Sequence, residues 1–224
     1  MCERLGSPAR GPTEGEKEKP MAAGSPRLAP DERRKAILAI ARDVFLSEGY
    51  AETSMSTIAA RVGGSKGTLY NYFASKEALF AEMVRSECQL EAAVAESLVQ
   101  ADADMATALR ALGGRLMRFI FSDAVQSIHR VVLAEAPRFP EVGRAFYENG
   151  PRLGIERIAG HLQRWMDEGK LKQAEPVRAS ERFGELCKAG LYQRMMWRVE
   201  IPTDAQIDAN VDEAVAIFLA YYGV

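Results

Sequence analysis

The short segment 65–76 concentrates side chains that can bind a polyanion. It reads SKGTLYNYFASK and supplies cations, hydroxyls, an amide and phenols. Ammonium groups and free backbone amides bind phosphate oxygens, whereas hydroxyls, amides and phenols can hydrogen bond to base edges. Leu69 and Phe73 stand four residues apart, and this spacing predicts a helix that buries both of them. The polar side chains turned outward by such a helix are Lys66, Thr68, Tyr70, Asn71 and Tyr72.

A second short helix is predicted directly before this one. Ser54 is placed to cap it, and apolar residues at helical spacing follow. Gly63 and Gly64 interrupt that pattern, because glycine accepts the left-handed backbone of a sharp turn. Ser65 then supplies the cap of the next helix, where free amides can hold phosphates. Two helices joined in this way, the second with an exposed polar face, are typical of a DNA-reading helix-turn-helix.

The segment has two alternative interpretations. GGSKGT is similar to a phosphate-binding nucleotide loop, but that motif requires GxxxxGK[ST] after a strand, and here Lys66 precedes Gly67 and follows a helix. The simpler alternative is an ordinary three-helix packing unit whose aromatic residues belong partly to the core. Residue spacing alone leaves that alternative open.

The residues around this segment strongly resemble the N-terminal signature of the TetR family of transcriptional regulators. The match covers about fifty residues in order and ends with SKGTLYNYFASKEAL from Ser65. There are two departures, because the family usually has a valine where Gly64 stands and an acidic residue at Thr57. The earlier matching positions are Arg33, Ile37, Leu38, Ala41, Phe45, Gly49, Tyr50, Thr53, Ser54, Ile58 and Ala59.

The resemblance implies a set of DNA contacts that overlaps the outward polar residues. Lys76, at the start of the following helix, is expected to bind a further phosphate. The partner implied is a double-stranded DNA operator. The positions expected to form the DNA-binding site are Thr53, Ser65, Lys66, Gly67, Thr68, Tyr70, Asn71, Tyr72 and Lys76.

Composition predicts an almost wholly helical protein. Of its 224 residues 47% are hydrophobic, enough for a full core. Proline is scarce after residue 30 and β-branched runs are absent, which favours helices over strands. We expect an all-α fold with a disordered tail at 1–29, a helix-turn-helix domain at 30–75, and a helical ligand-binding and dimerisation domain at 76–224. Within the tail, Met21 is an alternative start, and Arg27 is either solvated or a minor-groove contact.

Helix boundaries are predicted from proline, glycine and capping residues. Pro30 opens the first helix and Gly49 ends it. Ser75 starts a long helix that continues to about Ala101 and links the DNA-binding head to the body. Gly150-Pro151 is expected to kink or split a later helix. The further predicted helices are Met105–Phe121, Asp123–Ala136, Glu141–Gly169, Val177–Val199 and Thr203–Tyr222.

The segment 130–192 is similar, more loosely, to the AefR-like type of TetR C-terminal domain. This resemblance implies that the body binds a small hydrophobic effector and that the last two helices form a homodimer, the symmetry that a palindromic operator requires. The apolar faces of these two helices alone are equally compatible with packing only within the chain. Large apolar and aromatic residues at helical spacing are core more often than pocket. Candidate ligand-binding residues are Met117, Phe121, His129, Phe146, Trp165, Tyr192, Met196 and Trp197.

Other classes of protein find little support. No HExxH motif and no nucleotide-binding glycine loop after a strand is present, so neither an enzyme nor a cofactor is expected. Cys2, Cys88 and Cys187 form no CxxC pair, which suggests no metal site. Two of them, Cys88 and Cys187, lie in helical patterns, and we expect buried thiols there, with redox sensing as the alternative. No segment is long and apolar enough for a membrane span, and a cytoplasmic location is expected. The alternative function is a helical protein-interaction adaptor without specific DNA binding.

Overall fold

The computed structural model describes residues 29–98 and 104–224, without the side chains of residues 90–98. Within these ranges the chain is helical and forms no strand, apart from an isolated bridge between Leu171 and Gly223, which confirms the all-α class. The predicted tail before Ala29 and the predicted helix end near Ala101 lie outside the described residues. The helices are α1 (Pro30–Glu52), α2 (Met55–Val62), α3 (Lys66–Tyr70), α4 (Lys76–Leu98), α5 (Met105–Phe121), α6 (Asp123–Glu135), α7 (Pro140–Asn149), α8 (Pro151–Asp167), α9 (Pro176–Lys188), α10 (Leu191–Met196) and α11 (Asp204–Tyr222).

Two helix ends differ from the sequence prediction, and in each case a glycine with a positive φ is the reason. The first helix does not stop at Gly49: it kinks there, with φ 82° and ψ 167°, and continues to Glu52. The helix predicted over 177–199 was wrong in its length, because the chain turns at Gly190, whose φ is 75°, and α9 and α10 are separate. The positive φ of Gly190 separates two helices, whereas the positive φ of Gly49 only kinks α1.

The break expected at Gly150-Pro151 does split the long helix predicted over 141–169. α7 ends at Asn149 and α8 begins at Pro151, because a proline ring lacks the N–H that would continue the ladder. The last helix begins one residue later than predicted, with Thr203 as its N-cap in a full capping box with Gln206.

Two apolar cores hold the helices together. The first, which we call the head core, is formed by buried residues of α1 to α4 and continues into the body through Ile128, Val132 and Val142 on α6 and α7. The second, the body core, joins α5, α8, α9 and α11 around buried residues such as Leu162 and Phe183. Each large side chain buried in this way contributes about 1.5 to 3 kcal/mol. The N-terminal head formed by α1 to α3 therefore packs directly on two helices of the body, α6 and α7.

Helix α5 approaches α9 and α11 very closely at Gly113. A Cβ at this position would lie 3.0 Å from Val211 Cγ1 and 3.1 Å from Cys187 Sγ, shorter than normal apolar contacts. Arg118, further along α5, pairs with Asp208 of α11 at 2.7 Å, and this exposed pair adds little to stability. The helices are therefore held together mainly by packing.

The buried thiol of Cys187 behaves as an apolar group. It lies in the body core, and burial raises its pKa to about 12, an effect that the nearby Lys188 ammonium opposes only in part. A thiol that stays neutral is a poor nucleophile. Cys88 is partly buried.

None of the described helices is long and apolar enough to cross a membrane. Residues 29–98 and 104–224 also contain no group of three or more His, Cys, Asp or Glu placed to hold a metal ion.

Candidate functional site

The turn between α2 and α3 is set by two hydroxyl caps and one left-handed glycine. Ser54 Oγ accepts a hydrogen bond from the Thr57 N–H at 3.0 Å, so α2 is capped without an acidic residue at Thr57. Gly63 takes φ 70° and ψ 34°, the left-handed conformation that ends α2. Gly64 does not have a positive φ. The turn therefore depends on Gly63 and not on the position where the family usually has valine.

Helix α3 buries its apolar side and exposes its polar one. Ser65 Oγ accepts from the Thr68 N–H at 3.1 Å and caps the helix. Leu69 is buried. Lys66 and Tyr70 are both exposed, and the Lys66 ammonium lies 5.8 Å from the centre of the Tyr70 ring. The helix thus presents a cation and a phenol side by side on its free surface.

The remaining residues of α3 and its C-terminal end are divided between surface and core. Asn71 and Gly67 are exposed, and apart from the adjoining residues and the backbone of α3 itself, the nearest atom to a Cβ on Gly67 would be Ser65 Oγ at 3.7 Å. Tyr72 was predicted to point outward, but it is partly buried and packs against the head core. Its carbonyl accepts a hydrogen bond from Arg34 at 3.5 Å. A tyrosine has both an apolar ring and a polar hydroxyl, so its residue type alone does not predict whether it faces the core or the solvent.

Thr53 and Lys76 brace the junction between α1, α2 and α4. Thr53 is 2% exposed, and its hydroxyl donates to the Gly49 carbonyl at 2.6 Å. The Lys76 ammonium donates to the carbonyls of Tyr50 at 2.8 Å and of Thr53 at 3.0 Å, and it lies 4.2 Å from the centre of the Tyr50 ring. Both residues therefore have a structural role next to α3.

Four of the eight candidate effector residues meet in the body and form what we call the ring cluster: Phe121, His129, Phe146 and Tyr192. His129 stacks on Phe146 with ring centres 5.5 Å apart, and Phe121 stacks on Tyr192 at 6.5 Å. The Tyr192 hydroxyl hydrogen bonds to His129 Nδ1 at 2.8 Å, which joins the two pairs. These rings come from α5, α6, α7 and α10, and all are partly buried.

The polar groups of the ring cluster are held in their neutral forms. Burial lowers the pKa of His129, and the positive charge of Lys188 lowers it further. Burial also raises the pKa of the Tyr192 phenol, with a smaller contribution from Glu185. The Lys188 ammonium lies 5.7 Å from the centre of the Tyr192 ring. The cluster is thus an aromatic surface with one neutral hydrogen-bonding pair and one adjacent cation.

The other four candidate residues are not brought to this cluster. Met117 is fully buried in the body core, and Trp165 lies beside His161 with ring centres 6.2 Å apart. Met196 is partly buried, whereas Trp197 is 73% exposed. The eight candidate residues are therefore divided between the ring cluster, the body core and the surface, because size and apolarity alone do not determine which of these a side chain joins.

Two surface clefts lie away from the ring cluster. One, of about 450 Å³, is lined by residues of the 172–174 segment, Arg182 and the end of α11. The other, of about 260 Å³, lies between α1 and α4 near Arg34 and Glu82. Neither is lined by a candidate effector residue.

Sequence reasoning also missed residues that connect the head to the body. The side chain of Glu135, at the end of α6, accepts a hydrogen bond from the Ala51 N–H at 3.2 Å. Asn149, at the end of α7, accepts from the Arg85 guanidinium of α4 at 2.6 Å. Each pair is far apart in the sequence, so no local pattern indicated it.

A capped helix-turn-helix with an exposed polar reading helix, mounted on an all-helical body, defines a DNA-binding protein of the helix-turn-helix class. Comparison with known proteins identifies the family within this class. The family model of bacterial regulatory proteins of the tetR family matches residues 37–83, and that of the C-terminal domain of AefR-like transcriptional repressors matches residues 107–224. The second match alone covers more than half of the chain, and the chain belongs to the TetR family of transcriptional regulators, which is not a class of enzymes.

Individual relatives agree with this assignment. The chain is 25% identical over 196 residues to the uncharacterized HTH-type transcriptional regulator YfiR of Bacillus subtilis, covering 84% of this chain and 91% of YfiR. A TetR-family regulator from Mesorhizobium loti has a similar structure, with TM-score 0.74, 29% identity, and coverage of 87% of this chain and 98% of that one. The flavonoid-responsive regulator FrrA has TM-score 0.75, 28% identity, and coverage of 86% and 98%.

Proposed function

We propose that the chain is a ligand-responsive repressor that binds a palindromic operator as a homodimer and is released by a small, largely apolar effector. The observation that carries the DNA-binding part is α3, which buries Leu69 and exposes Lys66, Tyr70 and Asn71. A surface of this kind fits a major groove, where cations hold phosphates and amides or phenols contact base edges. As an operator-binding bacterial regulator, it would act in the cytoplasm.

Roles can be proposed for the nine DNA-binding candidates. Lys66 and the backbone around Ser65 and Gly67 would hold phosphates, and Thr68, Tyr70 and Asn71 would reach bases. The Lys76 ammonium has two of its three protons on backbone carbonyls, which leaves one for a phosphate. Thr53 and Tyr72 would act mainly by fixing the position of the head.

The ring cluster supports the effector part of the proposal. It combines aromatic faces with the neutral His129–Tyr192 pair, a combination suited to an apolar aromatic molecule that carries a hydroxyl group. FrrA, whose name describes it as flavonoid-responsive, is a relative of similar fold, and it favours an aromatic effector here. An effector bound at the ring cluster would not directly contact the other four candidates, Met117, Trp165, Met196 and Trp197.

The homodimer is supported by the free side of the last helix. Ile217 is 48% exposed and Tyr221 is 65% exposed, one turn apart on α11. A second copy of the chain packed on this side of α11 would cover both side chains and would place two heads on the two halves of a palindrome.

A shift assay on DNA fragments around the protein's own gene tests the operator proposal. We expect one fragment to be retained in excess competitor DNA, with half-sites about one helical turn apart or slightly more. Retention of no fragment above competitor would support the adaptor alternative instead. A thermal-shift screen with apolar aromatic compounds then tests the effector, since by linkage operator and effector must weaken each other by the same factor.

A further inference from the structure

Glu135 makes a contact between α6 and α1 that involves neither the exposed side of α3 nor the ring cluster. Glu135 is the last residue of α6, and its Oε1 accepts from the Ala51 N–H at 3.2 Å. The same oxygen would be 3.2 Å from a Cβ on Gly49. The carboxylate is therefore placed directly against the left-handed kink of α1, where it contacts the residues that lead to α2.

The turn that Glu135 contacts determines where α2 begins. The Thr53 hydroxyl donates to the Gly49 carbonyl, and Lys76 donates to the carbonyls of Tyr50 and Thr53. The next residue, Ser54, is the N-cap of α2. A displacement at the Ala51 amide is thus carried into α2 and, through the tight glycine turn, into α3.

Glu135 also fixes the segment that follows α6. Its carbonyl accepts hydrogen bonds from the backbone N–H groups of Arg138 and Phe139. The Phe139 ring then packs against Tyr50 with ring centres 5.9 Å apart. Glu135 is therefore linked to the same region of α1 in two ways: directly through its side chain, and indirectly through Phe139, which its carbonyl holds in place.

The other relevant part of α6 is at the ring cluster. His129 lies on this helix about 9 Å before Glu135, at a rise of 1.5 Å per residue. Its neighbours Ile128 and Val132 are buried in the head core, whereas its own ring contacts Phe146 and Tyr192. Helix α6 is therefore in contact with the cluster and with the head at once, and a close-packed interior transmits such displacements.

We propose that Glu135 is a positioning residue: through its hydrogen bond to Ala51 it couples the position of α6 to that of the reading helix. The regulatory meaning of this coupling rests on the proposed function. The coupling itself is a property of the free protein, and it can be measured without DNA or effector.

Hydrogen exchange of the backbone amides across residues 49–55 measures the contact directly. Glu135→Ala removes the acceptor, whereas Glu135→Gln keeps an oxygen that can accept from Ala51. Glu148→Ala removes an exposed carboxylate from α7 and is the matched control. We expect exchange about three- to tenfold faster in Glu135→Ala, the scale of one lost hydrogen bond, and near wild-type exchange in the other two. Wild-type exchange in Glu135→Ala would overturn the proposal.

A double-substitution cycle tests whether the ring cluster acts through Glu135. Tyr192→Phe removes the hydroxyl that bonds to His129 but keeps the ring, so the fold should be preserved. We expect it to increase exchange across 49–55 by about twofold in the wild-type background and not further in Glu135→Ala, since coupled sites are not additive. Equal increases in both backgrounds would show that Glu135 is not in the route.

Operator binding supplies the functional measurement on the full chain. Glu135→Ala should weaken operator binding about fivefold and leave binding to bulk DNA unchanged, because the reading surface itself is intact. Rescue by Glu135→Gln supports positioning. If Glu135→Ala loses the same affinity for the operator and for bulk DNA, and its midpoint of thermal unfolding is also lower, then Glu135 only stabilises the fold and the positioning role is wrong. Absence of operator binding by the wild type would count against the proposed function, and the exchange experiments would still decide the role of Glu135.

Discussion

The reading head and the ring cluster differ in how far apart their residues lie in the sequence. The candidate DNA contacts all fall within residues 53–76, and each cap bonds to a residue three positions ahead, as Ser54 does to Thr57. The cluster collects its four rings from four helices, and its central hydrogen bond joins residues 63 positions apart. A function built from neighbouring residues can be deduced from spacing, whereas one assembled by packing cannot. Substitutions of the same kind in the two regions should therefore have different effects.

Removal of a phenylalanine ring should distinguish core from cluster most strongly. Phe45 is fully buried and contacts the rings of Tyr50 and Phe80 at 5.7 and 5.4 Å. Phe45→Ala should lower the free energy of unfolding by ~3 to 5 kcal/mol. Phe121→Ala should cost clearly less, because that ring is only partly buried, but it should reduce stabilisation by aromatic compounds. Urea denaturation with and without a screening hit measures both, and equal losses of stability would contradict the distinction.

Glycine-to-alanine substitutions in the two regions should separate packing from surface recognition. Gly113→Ala places a methyl group 3.0 Å from Val211 and should lower the free energy of unfolding by ~1 to 3 kcal/mol. Gly67→Ala meets no close neighbour and should leave stability unchanged or raise it by ~0.5 to 1 kcal/mol. It should nevertheless weaken operator binding, since the added methyl group lies on the exposed side of α3. Loss of stability without loss of binding in Gly67→Ala would place that residue in a packing role.

Within the reading head, base contacts should be separable from phosphate contacts. Tyr70→Ala and Asn71→Ala should each cost ~1 to 3 kcal/mol of operator binding, concentrated at particular base pairs. Lys66→Ala should weaken binding to every sequence and reduce the dependence on salt concentration. Binding to a panel of single-base operator variants at two salt concentrations measures both effects. An identical loss for all three variants on every sequence would refute the division of roles.

Sequence reasoning succeeded where the determinants were local. Ser54 and Gly63 fixed the ends of α2 because a hydroxyl cap and a left-handed residue act within one helical turn. It failed at Gly190, because apolar residues continue at helical spacing on both sides of the break. Trp197 was expected in the pocket but is 73% exposed, since apolarity does not specify which surface of a helix is covered. The Glu135–Ala51 contact spans 84 positions, and no periodic pattern reports such a pairing.

The smallest expected effect is a pH dependence that belongs to the ring cluster and not to the head. Burial, and then the charge of Lys188, lower the pKa of His129 below its ordinary value near 6.5. A histidine with a lowered pKa in the folded state is held neutral, so its contribution to stability is present above pH 6.5 and is lost as the pH falls through the lowered pKa.

We therefore expect the free energy of unfolding to decrease between pH 7 and pH 5. His129→Gln, which keeps a polar side chain beside Tyr192 but does not titrate, should flatten that decrease. Glu77 and Asp104, whose pKa values are lowered by hydrogen bonds from Ser75 and Thr107, titrate at lower pH and do not interfere. Urea denaturation of both proteins at half-unit pH steps is the measurement. If the free energy of unfolding varies with pH in the same way in the wild type and in His129→Gln, burial does not lower the pKa of His129. The ring cluster would then be more open to water than its packing indicates.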